Sequence, residues 1–118
     1  MSALADLTPN SFHTLTVLIP VAYNTDARSD RNYIESWKLA ITEWEIRSLF
    51  SGYTVCRADG WCSSQDVKTS RDSHLRFEID MALSARMLRI LRKWKRVLET
   101  RMKQESIFMR LSGPIYWI

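Results

Sequence analysis

Residues 74–83, HLRFEIDMAL, alternate apolar and polar side chains without a break. Leu75, Phe77, Ile79 and Met81 fall on one face, and His74, Arg76, Glu78 and Asp80 on the other. A period of two over this length marks a strand half buried in a sheet. The chain must therefore build a sheet with one apolar face and supply something to cover it. The cover follows at once. Ser84 is a cap residue, and beyond it Met87, Ile90, Leu91, Trp94, Val97, Leu98 and Met102 recur at three- and four-residue steps. That spacing is the apolar stripe of a helix running to about Met102.

The same strand-then-helix unit occurs earlier. FHTLTVLIPVAY, residues 12–23, sets Leu15, Val17, Ile19 and Val21 on one face and Thr14 and Thr16 on the other, with β-branched residues that suit a strand. After a polar loop, NTDARSD, the spacing predicts a helix from about Asp30 to Leu49, with Ile34, Trp37, Ile41 and Trp44 toward the core and Asn32 with Glu35 as a capping box. Leu39 and Ile46 would then be surface residues. Ser51-Gly52 supplies the stop, with the glycine in the left-handed C-terminal conformation. In ESIFMRLSGPIYWI, Ile107, Met109 and Leu111 give a last strand, broken by Gly113-Pro114.

Between the two units lies GYTVCRADGWCSS, residues 52–64. Taking Ala58, Asp59 and Gly60 as a three-residue turn makes a hairpin with Arg57 opposite Trp61 and Cys56 opposite Cys62. The following SSQDVKTSRDS is expected to be a polar connection. A structural zinc needs four ligands, and a single Cys-x₅-Cys with only His13 and His74 elsewhere falls short. Directly opposed strand cysteines make a strained disulfide. Two small apolar residues in a hairpin are the favoured account, and no metal or cofactor is expected.

The expected fold is α+β, a ferredoxin-like β-α-β-β-α-β sandwich with two helices on one face of an antiparallel sheet and an extra β-hairpin. Residues 1–11 are a flexible lead-in and 12–118 a single domain, long enough to bury a core. No apolar run approaches the ~20 residues that span a bilayer. The N-terminus, MSALADLTPNSF, lacks a basic stretch followed by an apolar one, so a cytoplasmic location is expected.

With the elements placed, Phe50, Gly52, Tyr53, Thr54 and Val55, then Gly60-Trp61, then Gln104-Glu105-Ser106-Ile107 become informative. They resemble the motifs of a group of small uncharacterised bacterial ferredoxin-like α+β domains: Phe-x-Gly-aromatic-Thr-Val, a Gly-x-Trp turn and a Gln-Glu opening the last strand. The match spans about residues 12 to 111, and this chain departs from it in a basic second helix and in having no spacer between Gly60 and Trp61. The layout is also similar to that of the PII-like superfamily, whose members associate through their sheets. No counterpart of the PII nucleotide loops is present.

Charge is the remaining signal. Ser84 to Lys103 holds eight Lys or Arg and one acid, a local +7, so the rest of the chain carries −3 against the total of +4. At 100° per residue, Arg89, Arg92, Lys93, Arg96 and Lys103 fall in an arc of about 100° opposite the Trp94 stripe, along about 21 Å of helix. A solvated helix face normally mixes signs. This one points to an anionic partner, nucleic acid, an acidic protein surface or an acidic membrane, and to a regulatory or inhibitory binding module. No helix-turn-helix, zinc finger or RNA-binding signature accompanies it. Three glycines make no phosphate loop, and no Gly-x-Ser-x-Gly or paired nucleophile and base is present, so catalysis is the minority reading. The alternative is a small-molecule sensor or enzyme site formed by His74, Arg76 and Glu78 with the 63–73 loop. The uncovered sheet face, where Leu18, Phe108 and Trp117 are candidates for contact, predicts a homo-oligomer through the sheet.

Overall fold

The alternating segments pair as their period requires. The computed structural model of the chain describes residues 12–23, 32–64 and 67–118, with side chains placed outside 58–73. The lead-in, 1–11, and the polar loop at 24–30 lie outside the described residues. Strand β1 (His13–Pro20) runs antiparallel to β3 (Val67–Met81), with Leu15 opposite Ile79 and Val17 opposite Phe77. On its other side β1 pairs with β4 (Met109–Ser112), which brings Leu111 and Met109 to the same face. Strand β2 (Thr54–Ser64) lies on the far side of β3, so the sheet order is β2-β3-β1-β4. Helix α1 (Ser36–Leu49) connects β1 to β2, and α2 (Ala85–Arg101) connects β3 to β4. Each helix thus links two strands separated by a third, the ferredoxin-like topology.

The core lies between the sheet and the helices. Leu15, Val17, Ile19 and Ile79 are fully buried from the sheet, and Ile46, Leu98 and Met102 from the helical layer. Apolar contact of this kind stabilises by about 25 cal/mol per Å² removed from water.

Helix α1 departs from expectation at both ends and in its facing. It begins at Ser36, because Asn32 to Ile34 are extended beside the end of the first strand: Tyr23 N–H donates to Asn32 O at 2.8 Å and Ile34 N–H to Val21 O at 2.9 Å. Those backbone groups are committed to a short ladder, so no capping box forms. At the other end Phe50 is an extended cap (φ −130°), its N–H bonded to Ile46 O, and Gly52 takes no left-handed turn. The buried face is Lys38, Thr42 and Ile46, while Trp37, Ile41 and Trp44 face solvent. Ile46 is therefore core, with Leu39 packed against it, contrary to the surface placement expected of both.

The expected turn at Ala58-Asp59-Gly60 is instead mid-strand. β2 runs unbroken to Ser64 and β3 starts at Val67, so most of the segment expected to be a connection is strand. Cys56 lies opposite Arg76 and Cys62 opposite Ser70. The two cysteines sit six residues apart on one strand, about 20 Å at 3.3 Å per residue, too far to bridge or to share an ion. The expected extra hairpin is thus the outer length of β2 and β3. Residues 74–78 of β3 are paired with both β1 and β2 and 79–81 with β1 alone, whereas 67 and 70–73 pair with β2 alone.

Candidate anionic-partner interface

Helix α2 forms as its sequence indicates. The Ser84 side chain accepts from the Met87 N–H at 3.0 Å, satisfying one of the unpaired donors of the first turn. Leu91, Trp94 and Leu98 are buried, which turns the opposite side outward. Arg86, Arg89, Arg92, Lys93 and Arg96 are exposed there, with no carboxylate partner among the described residues.

Two cations of the same helix are placed differently. Lys95 pairs with Glu99, whose carboxylate also accepts from the Ile107 N–H at 3.1 Å. The Lys95 hydrogen bond, and then the Ile107 N–H, hold Glu99 below the ordinary carboxylate value. Arg101 reaches across to α1, donating to the two Glu45 carboxylate oxygens at 2.5 and 2.9 Å and to Thr42 at 3.0 Å. The Trp94 indole N–H donates to Glu45 at 3.1 Å. Arg101, and after it Trp94, depress the Glu45 pKa against the opposing effect of burial. Neither Lys95 nor Arg101 is available as a free charge.

Lys103 is exposed but does not continue the arc. The helix ends at Arg101, Lys103 has φ 52°, and its ammonium lies 5.3 Å from the centre of the Tyr23 ring. Arg92 lies toward the sheet edge. With Lys95 and Arg110 it rims an apolar depression of about 150 Å³ between α2 and β4, floored by Leu91, Met109 and Leu111. The outward arc therefore consists of Arg89, Lys93 and Arg96, with Arg86 at its start.

His74, Arg76 and Glu78 lie together on the sheet face away from the helices, each half-buried. Arg76 pairs with Glu78 at 2.8 Å, and Thr14 donates to Asp80 at 2.7 Å. A depression of about 320 Å³ takes in Tyr53, Thr54, Glu78 and Asp80, with Phe12 and Trp117 at its rim, but not His74 or Arg76. Of the 63–73 segment expected to close this site as a loop, 63–64 and 67–73 belong to the two strands instead. Phe108 and Trp117 are exposed, at 47% and 57%.

The residues that sequence reasoning missed are on α1. Trp37 is 57% exposed, Ile41 40% and Trp44 67%, an uncharged stripe on the outside of the helical layer. Their spacing equally suited a core face. The signal against it lies in Lys38, Thr42 and Glu45, whose partners Tyr23 and Arg101 are remote in sequence. The Lys38 ammonium donates to the Tyr23 hydroxyl at 2.6 Å and pairs with Glu35 at 2.9 Å, and these contacts raise its pKa. No described helix is long and apolar enough to cross a membrane. No protein-family model, curated protein or solved structure matches the chain.

Proposed function

We propose that the protein is a non-catalytic binding module that presents the basic face of α2 to an anionic partner. The observation that supports this is a division of charge within one helix. Lys95 and Arg101 are each given a carboxylate, whereas Arg89, Arg92, Lys93 and Arg96 are held exposed without one among the described residues. Arg89 with Lys93, and Arg92 with Arg96, are like-charge pairs four apart, each destabilising by some tenths of a kcal/mol. An anionic partner relieves that repulsion on binding.

Heparin chromatography at low salt tests the reading. The wild type is expected to be retained and to elute as salt rises, because charge neutralisation makes such binding salt-dependent. Reversing Arg89, Lys93 and Arg96 to Glu should abolish retention while the thermal transition stays in place. Wild-type protein that passes through unretained removes the basis for the proposal.

Membership of the small bacterial ferredoxin-like group is likewise a proposal, resting on Phe50, Gly52-Tyr53-Thr54-Val55, Gly60-Trp61 and Gln104-Glu105. So is the homo-oligomer through the sheet, which the exposed Phe108 and Trp117 support. Sedimentation at micromolar concentration decides it, since a monomer of 13.9 kDa excludes the oligomer.

A further inference from the structure

The exposed stripe of α1 and the basic arc of α2 share one surface. On α1, taking 100° per residue, the Trp37–Ile41–Trp44 stripe is centred about 130° from the Lys38–Thr42–Ile46 face. Glu45 lies between them, on the side that meets Arg101 and Trp94 of α2. On α2, passing outward from Trp94 and Arg101 brings first Val97, 39% exposed, then Lys93, then Arg89 and Arg96. Both bands therefore emerge on the outer side of the same inter-helix seam. The outer surface of the helical layer is aromatic along α1, aliphatic at the seam and cationic along α2.

We propose that this surface docks on an anionic phospholipid bilayer. Trp37, Ile41 and Trp44 enter the headgroup–acyl boundary, and Arg89, Lys93 and Arg96 meet the phosphates. The inference rests on the anionic-partner reading and names that partner. Tryptophan beside aliphatic groups, with cations adjacent, is the composition of an interfacial surface, and each cation near an anionic leaflet adds to the attraction. Single-stranded nucleic acid is the weaker fit. It asks for a charged groove with rings at base spacing, whereas Trp37 and Trp44 are about 10 Å apart along a convex helix with Ile41 between them.

Co-sedimentation at low salt, on vesicles of phosphatidylglycerol with phosphatidylcholine and on phosphatidylcholine alone, tests it beside heparin chromatography. The wild type is expected on the anionic vesicles and not on the neutral ones. The Trp37→Ala, Trp44→Ala double variant should bind the vesicles at least about tenfold more weakly yet elute from heparin unchanged. If that variant does not fold, brominated phosphatidylcholine in the anionic vesicles should quench wild-type tryptophan fluorescence. Vesicle binding indifferent to both tryptophans, or unquenched, overturns the proposal. Retention on heparin without vesicle binding overturns it and leaves the anionic-partner reading standing, with nucleic acid or an acidic protein as partner. A dimer that the double variant dissolves assigns the stripe to a second copy. Failure to bind either matrix removes both readings.

Discussion

Helix α2 buries Leu91, Trp94 and Leu98 and leaves its cations in solvent; helix α1 buries Lys38, Thr42 and Ile46 and leaves two tryptophans there. Both carry an apolar stripe at helical spacing. The difference lies in what the opposite face costs to bury. On α2 that face holds exposed cations without a carboxylate partner among the described residues, and burying an unpaired charge is prohibitive. On α1 the polar face is already satisfied: Lys38 by Glu35 and Tyr23, Thr42 by the Lys38 carbonyl and Arg101, and Glu45 by Arg101 and Trp94. Paired polar groups bury at little net cost. An apolar stripe decides a helix's facing only when the alternative face cannot find partners.

The largest effects belong to the core. Ile46→Ala and Leu98→Ala should each cost about 2–5 kcal/mol in urea denaturation, since both side chains are fully buried. Ile41→Ala, one turn from Ile46 on the exposed side, should cost well under about 1 kcal/mol. Equal losses at Ile41 and Ile46 would mean that α1 packs the other way round.

The seam should give the next largest effect. Arg101→Met leaves the half-buried Glu45 carboxylate without its main partner, at about 2–3 kcal/mol, below the loss from a fully buried pair. Glu45 is depressed from its ordinary 4.5, so its contribution is complete above that value and is lost as pH falls through the lower folded value. Wild-type stability should therefore decline in acid below about 4.5. The variant should decline less over the same window. Glu35 and Glu99 are depressed in the same direction, so the decline is reduced and not abolished.

The smallest effect belongs to the surface arc. The reversal of Arg89, Lys93 and Arg96 should move stability by no more than about 0.5 kcal/mol in either direction. A loss of several kcal/mol would place those side chains in contacts and not in solvent.

Where a segment has one face to bury, its fold was legible. β1, the 74–81 half of β3, α2 and β4 all carry their period in the side chains, and each packs as the period requires. The outer length of the β2–β3 hairpin was not legible. Residues 67 and 70–73 pair with a single strand, and the 67–73 stretch carries no clear alternation of apolar and polar residues, while Asp59-Gly60 offered a local turn signal within a strand held by backbone pairing. At the candidate site, the arc's position on α2 was legible from spacing. Lys103's departure from it was not, because the wheel assumes a helix that ends two residues earlier. Nor was the α1 stripe, since its facing depends on Arg101, 56 residues from Glu45.

That separation also bears on rates. The bond between Glu45 and Arg101 closes a loop holding the whole β2–β3 hairpin, so it can form only after both βαβ halves have come together. Contacts made after the transition state govern how fast a protein unfolds and leave its folding rate nearly unchanged. Arg101→Met should accordingly raise the rates along the unfolding limb of a stopped-flow chevron, with its slope unchanged and refolding close to wild type. Slowed refolding would instead place the seam in the folding nucleus. The junction of the helices then bears on how long the molecule stays folded and not on how soon it folds.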